Sequence, residues 1–188
     1  MTLNTIRSSY YTGRDALAAR IAEADREALL FATELEAGNV DEFFVDDVTG
    51  QTFSMAEYHY YQTKSAREML NSHAQAFAIM IHHAWEKHVL FLNHGWEKYK
   101  FREAYGELSR DGWTIDVPRL EKLRMVANFV KHESTEILSH FGEMFNDTPI
   151  YQINQKYIFE DDALIVSDHD IEEFMDAVLN SANQRVEL

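Results

Sequence analysis

The sequence predicts an all-α protein: a four-helix bundle with short extra helices and irregular connections. Three observations predict it. Only two prolines, Pro118 and Pro149, occur in 188 residues, so long helices are permitted almost everywhere. Apolar residues recur three and four positions apart, as in Leu17, Ile21, Ala24, Ala28 and Phe31, which places them on one helical face. Apolar residues make up 46% of the chain, enough for a domain of this length to bury a core. The expected organisation is a single helical domain over 1–188.

The first helix is expected over 14–37, a stretch free of Gly and Pro and rich in helix formers. Gly38-Asn39 ends it. Residues 40–52 are acidic and β-branched, with a turn at Thr49-Gly50; they read as an irregular link with room for a short strand. Ser54 is placed to cap the next helix, with Glu57 three residues on to complete a capping box. That helix continues to 92, and its segment 77–81 is apolar on all sides, as a central helix should be. Asn93-His94-Gly95 breaks it; a short helix resumes over 96–108 and stops at Arg110-Asp111-Gly112. Asp116 and Pro118 open a helix over 117–141. Leu120, Leu123, Ala127, Val130, Ile137 and Phe141 form its buried stripe. Turn residues follow, then an apolar run over 163–166. Ser167 caps the last helix, 168–183, with acids in its first turn where the helix dipole favours them.

Charge and composition exclude several function classes. With no cysteine, disulfides, zinc–thiolate sites and thiol nucleophiles are ruled out, and a reducing cytoplasm is the expected location. The longest apolar stretch, 74–92, carries His82, His83, Glu86, Lys87 and His88; that many ionisable groups argue against a membrane span. The net charge is −15, so the surface as a whole repels nucleic acid and anionic membrane. The acid concentrates in 34–47 and 160–173. Over 119–131 the balance reverses, with Arg119, Lys122, Arg124 and Lys131 against Glu121. That is a local basic face on an acidic body.

The candidate chemistry lies in this basic stretch. Arg124, Asn128 and His132 are four residues apart in turn. Each step drifts only about 40° around a helix, so they line one strip, with Lys131 beside Arg124. A permanent cation, an amide and a group that titrates near neutrality are the parts of a metal-free ribonuclease. Histidine takes the proton of a ribose 2′-hydroxyl, and arginine stabilises charge on the phosphate. A solvated polar flank beside a core stripe has the same spacing. A second constellation is histidine-based: His82, His83 and Glu86 on the central helix, and His132, Glu136 and His140 every four residues. Such groups on facing helices can hold zinc or a pair of irons, but the Glu-x-x-His pairing of di-iron bundles is absent from the chain. Trp85, Phe91, Trp96, Tyr99 and Phe101 form an aromatic stretch; base stacking is one use for it, and helix spacing favours core or dimer packing.

The segment Leu-Arg-x-x-x-Asn-x-x-Lys-His at 123–132 resembles the HEPN (higher eukaryotes and prokaryotes nucleotide-binding) superfamily, in particular its bacterial members. The central helix with Glu86, and the segment 162–167 followed by a last helix, are similar to the same superfamily, so the resemblance covers about 77–183. It implies a HEPN-like four-helix bundle, a homodimer, and metal-independent RNA cleavage or RNA or nucleotide binding of toxin or phage-defence type. Arg124 and His132 would be catalytic, Asn128 and Lys131 would bind substrate, and neither a metal nor a cofactor is needed. The alternative is a non-catalytic HEPN-like module acting through a regulatory protein partner. The superfamily signature has four to six residues between Arg and His. Here seven separate Arg124 from His132, a departure that leans toward the binding alternative.

Overall fold

Helix α1 begins at Leu3 and runs to Glu36, well before the start expected at residue 14. Thr2 starts it: its hydroxyl accepts the Thr5 N–H at 3.3 Å and its carbonyl accepts the Ile6 N–H at 3.1 Å, satisfying N–H groups that have no partner inside the helix. Gly13 sits inside α1 rather than ending anything. A Cβ there would lie 2.3 Å from the His73 ring, so the glycine is what lets α1 and that ring approach. Gly38 closes α1 as expected, at φ 72°. Its N–H reaches Leu35 O at 3.0 Å and the Asn39 N–H reaches Glu34 O at 2.9 Å, the paired bonds of a Schellman C-cap.

The computed structural model describes residues 2–92, 101–132 and 164–183. The protein is mostly helical, with one small sheet. After α1 come strands β1 (Phe43–Val45) and β2 (Thr52–Ser54), then α2 (Met55–Leu92), α3 (Phe101–Arg110), α4 (Val117–His132) and α5 (Asp168–Asn183). Among the described residues no helix is long and apolar enough to cross a membrane. Expected elements over 93–100, 133–163 and 184–188, including Ile137 and Phe141 of the stripe, lie outside the described residues.

The chain packs as two units. One is Tyr11–His73 and the other combines Met1–Tyr10 with Ala74–Leu188. In the first, α1 and the start of α2 run antiparallel. Asp25 accepts from Arg67 at 3.1 Å, Phe31 stacks on His59 at 5.1 Å, and Gly13 meets His73. The irregular link expected over 40–52 is a hairpin, pairing Phe43 with Ser54, Phe44 with Phe53 and Val45 with Thr52. Asp46 organises its loop: one carboxylate oxygen accepts from the N–H groups of Val48 and Thr49 and from the Thr49 hydroxyl, at 2.9, 2.7 and 3.0 Å. The Thr49 and Val48 bonds hold the Asp46 carboxyl below its ordinary range. Ser54 caps α2 as expected, accepting the Glu57 N–H at 3.3 Å.

The second unit holds the core. Along α2, Phe77, Ala78, Ile81, Trp85 and Val89 are buried, at the spacing of one helical face. Trp85 donates to the Tyr105 hydroxyl of α3 at 3.3 Å, so the first aromatic of the expected stretch is core. Phe91 is 79% exposed. From α4 come Leu120, Leu123, Val126 and Ala127, and from α5 Ile171, Phe174, Met175 and Val178, all buried. Ile6 and Tyr10 close the other side, Tyr10 meeting Phe77 edge-on at 5.4 Å and donating to Asp168. Residues 164–167 form no strand; the Leu164 carbonyl accepts from Gln75 at 2.8 Å instead.

Candidate functional site

Helix α4 carries the candidate strip, and its start is fixed by Asp116, whose carboxylate accepts the Arg119 N–H at 3.4 Å. The buried stripe then fixes the helix's rotation. Arg119 and Lys122 fall on the side that meets α5, where Arg119 reaches Glu173 at 3.3 Å and Lys122 reaches Asp170 at 2.7 Å. Lys122 is also 5.9 Å from the Phe174 ring centre. Arg124 turns back on its own helix: Nε and Nη2 both donate to Glu121 Oε2, at 3.2 and 3.1 Å. The local basic face expected over 119–131 is therefore not a bare positive surface. Three of its four cations are neutralised by carboxylates, two of those from a helix far along the chain.

The four candidate residues occupy different environments. Arg124 is largely buried, its side chain only 16% exposed. Asn128 and Lys131 are half-buried, and His132, the last residue of α4, is exposed. The strip therefore does not simply flank the core in solvent; its first member is packed into it. Glu121 is buried beside Arg124, and its other oxygen, Oε1, has no hydrogen-bond partner among the described residues.

Across from this strip, α2 presents His82, His83 and Glu86. Glu86 Oε2 lies 2.8 Å from His83 Nδ1 and 3.5 Å from His82 Nδ1. His82 is buried while His83 is half-exposed. Burial pushes the His82 imidazole down to about 4; Glu86 opposes that shift, and Lys131, His83 and Arg124 add to it. His82 is thus neutral at physiological pH. The charges of Lys131 and Arg124 are felt at His82, so these two cations of α4 lie within electrostatic reach of the α2 cluster. Asn128 and His132 make no side-chain hydrogen bond or ion pair to that cluster among the described residues.

Chemically, the arrangement offers an imidazole oriented by a carboxylate, a buried neutral imidazole and two cations. A carboxylate on Nδ1 fixes the His83 ring and leaves Nε2 for proton transfer. The same three α2 residues bring ligating atoms within 4.8 Å of one another, a partial ligand set for a divalent ion, though the positive field of Arg124 and Lys131 works against such an ion. Glu136 and His140 lie outside the described residues. Sequence spacing grouped His82, His83 and Glu86, and separately grouped Arg124, Asn128, Lys131 and His132; it gave no sign that the charges of Arg124 and Lys131 act on His82. Comparison with family models, with curated proteins and with solved structures finds no match to this chain.

Proposed function

We propose that the protein is a HEPN-like helical bundle that binds RNA at the α2–α4 cluster and cleaves it without metal. The observation that carries this is the shared neighbourhood of a carboxylate-held histidine and the cations of α4: Glu86 on His83 at 2.8 Å, with Arg124 and Lys131 acting on His82. His132 takes the proton from a ribose 2′-hydroxyl, whose oxygen attacks phosphorus. His83, oriented by Glu86, returns a proton to the departing 5′-oxygen. Arg124 and Lys131 counter the charge on the phosphate and Asn128 orients it. The products are a 2′,3′-cyclic phosphate and a 5′-hydroxyl. The proposed assembly is a homodimer, and the proposed setting a cytoplasmic toxin or phage-defence system.

The test is cleavage of single-stranded RNA by the purified chain in excess chelator, with the product ends identified by mass. Cleavage yielding cyclic phosphate ends, and lost in His132→Ala and in His83→Ala, is the expected result. Activity that disappears with chelator and survives His132→Ala would hand the site to a metal held by His82, His83 and Glu86. A second reading is a non-catalytic binder working through a protein partner. The Arg124–Glu121 ion pair favours it, because a guanidinium tied to a carboxylate has less charge left for a transition state. RNA retained in a binding assay but never cleaved, with no growth arrest on expression, would select it.

A further inference from the structure

The unit Tyr11–His73 has almost no interior. Ala66 is the single buried hydrophobic residue among its members, and a unit of this size without a core is not stable by itself. Leu17, Ile21, Phe31 and Leu35 are half-buried, and many of its other large apolar residues are on the outside. Of fifteen large hydrophobics exposed among the described residues, eleven lie between Leu29 and Tyr61. Phe43, Phe44 and Val45 are each more than half exposed, as are Tyr60 and Tyr61 in the second turn of α2, and Phe53 of β2 is exposed as well. Isolated surface aromatics need no explanation, but a concentration of this kind marks an interaction surface.

Two further observations bear on what this surface could take. The hairpin is the whole sheet, so both its edges are open among the described residues. Hydrogen bonds from Met55 N to Glu42 O and from Asp46 N to Gln51 O, both 2.9 Å, set the pairing. By the alternation of an antiparallel ladder, Phe43 and Val45 then turn their N–H and C=O groups away from β2. The electrostatics are one-sided as well. Residues 28–63 contain seven carboxylates, Glu34, Glu36, Asp41, Glu42, Asp46, Asp47 and Glu57, and no Lys or Arg. Four of them, Asp41, Glu42, Asp46 and Asp47, flank β1 in sequence.

We propose that this hairpin end is a docking surface for a basic, apolar polypeptide segment of another protein, added as an extended strand along β1. Backbone hydrogen bonds to Phe43 and Val45 would supply the pairing, apolar side chains on one face of the added strand would pack on the side of Phe44 and Phe53, and Lys or Arg on its other face would meet the acids beside β1, Asp41, Glu42, Asp46 and Asp47. A second copy is the poorer occupant. Its β1 would bring like charges opposite each other, and its cations Arg26, Lys64, Arg67, Arg119, Lys122 and Arg124 already serve carboxylates of their own chain. Nucleic acid is repelled outright by the acids.

The experiment uses the full chain and fluorescent peptides of alternating Lys and Val, with alternating Glu and Val, and alternating Lys and Ser, as comparators. Binding is read by polarisation and located by hydrogen exchange. The Lys–Val peptide should bind and protect the amides of 43–45, and raising salt from about 50 to about 500 mM should weaken it at least about tenfold. The pair Phe44→Asp, Phe53→Asp should abolish binding while helical circular dichroism is kept. Asp41→Asn with Glu42→Gln and Asp47→Asn, which preserves shape, should weaken it about tenfold even if the aspartate pair misfolds the hairpin. Equal binding of the Lys–Val and Glu–Val peptides would overturn the proposal. So would a dimer in sedimentation that Phe44→Asp, Phe53→Asp dissolves, since that assigns the surface to a second copy.

Discussion

At the scale of single residues, burial rather than spacing decides what a side chain can do. His82 titrates near 6.5 in an unfolded chain and near 4 in its buried place on α2. Between those values the unfolded chain binds the extra proton, so stability falls as pH drops from about 6.5 toward 4 and is level above that window. The loss is at most about 3 kcal/mol, and burial of His88 works in the same direction. Thermal melts across this range should show the slope, and His82→Gln should flatten it; an unchanged slope in that variant would move the effect to His88. Arg124 is the second case. Its guanidinium is buried against Glu121, so Arg124→Ala leaves a buried carboxylate uncompensated and should cost about 3 kcal/mol. The double variant Arg124→Ala, Glu121→Gln should recover most of that loss. A catalytic role predicts no recovery of RNA cleavage in the double variant even as its stability returns, so melting and activity read the two roles separately.

At the scale of elements, the caps were legible and the ion pairs were not. Ser54, Ser167 and Gly38 act through groups within five residues, and a local rule needs only local sequence. Ser167 and Asp170 form a reciprocal cap on α5: the Asp170 N–H bonds the Ser167 hydroxyl at 3.2 Å, and Asp170 accepts the Ser167 N–H at 2.8 Å. Lys122 of α4 lands on the same carboxylate at 2.7 Å. Burial would raise the Asp170 carboxyl, but bonds from Lys122 and Ser167 outweigh it and leave it below its ordinary range. No sequence pattern reveals that a lysine at 122 meets an aspartate at 170, and for that reason a paired stretch looked like an open basic face. Lys122→Met should destabilise the chain by about 3 kcal/mol, because the side chains are only 15% and 5% exposed and Asp170 would be stranded. Ser167→Ala should cost about 1 kcal/mol. Urea melts that rank the two in the opposite order would mean the cap, not the ion pair, fastens α5. The early start of α1 was missed because only Ile6 and Tyr10 mark its buried face before Gly13, and two residues make a weak period. The hairpin was missed as a pair of strands because Phe43-Phe44-Val45 shows no alternation of apolar and polar residues; all three are exposed.

At the scale of the whole molecule, apolar content and buried content part company. An apolar share of 46% predicts a single well-filled interior, yet the buried hydrophobics fall almost wholly within Met1–Tyr10 and Ala74–Leu188, and Tyr11–His73 keeps Ala66 alone. Composition counts side chains without locating them, so it could not show this. Local stability follows buried apolar contact rather than helix length. Opening of Tyr11–His73 should therefore cost much less than opening of the rest. Helix propensity will keep part of its backbone bonded, but a helical hairpin with a half-buried seam lacks the contacts that make opening cooperative. In native-state hydrogen exchange, the amides of 43–63 should exchange at least about a hundredfold faster than those of 77–89, 120–127 and 171–178, a gap of about 3 kcal/mol. Slow, uniform exchange across both sets in the isolated chain would show that Tyr11–His73 is held by more than its own interior. Such a result in a dilute monomer would remove the need for a covering partner on the hairpin.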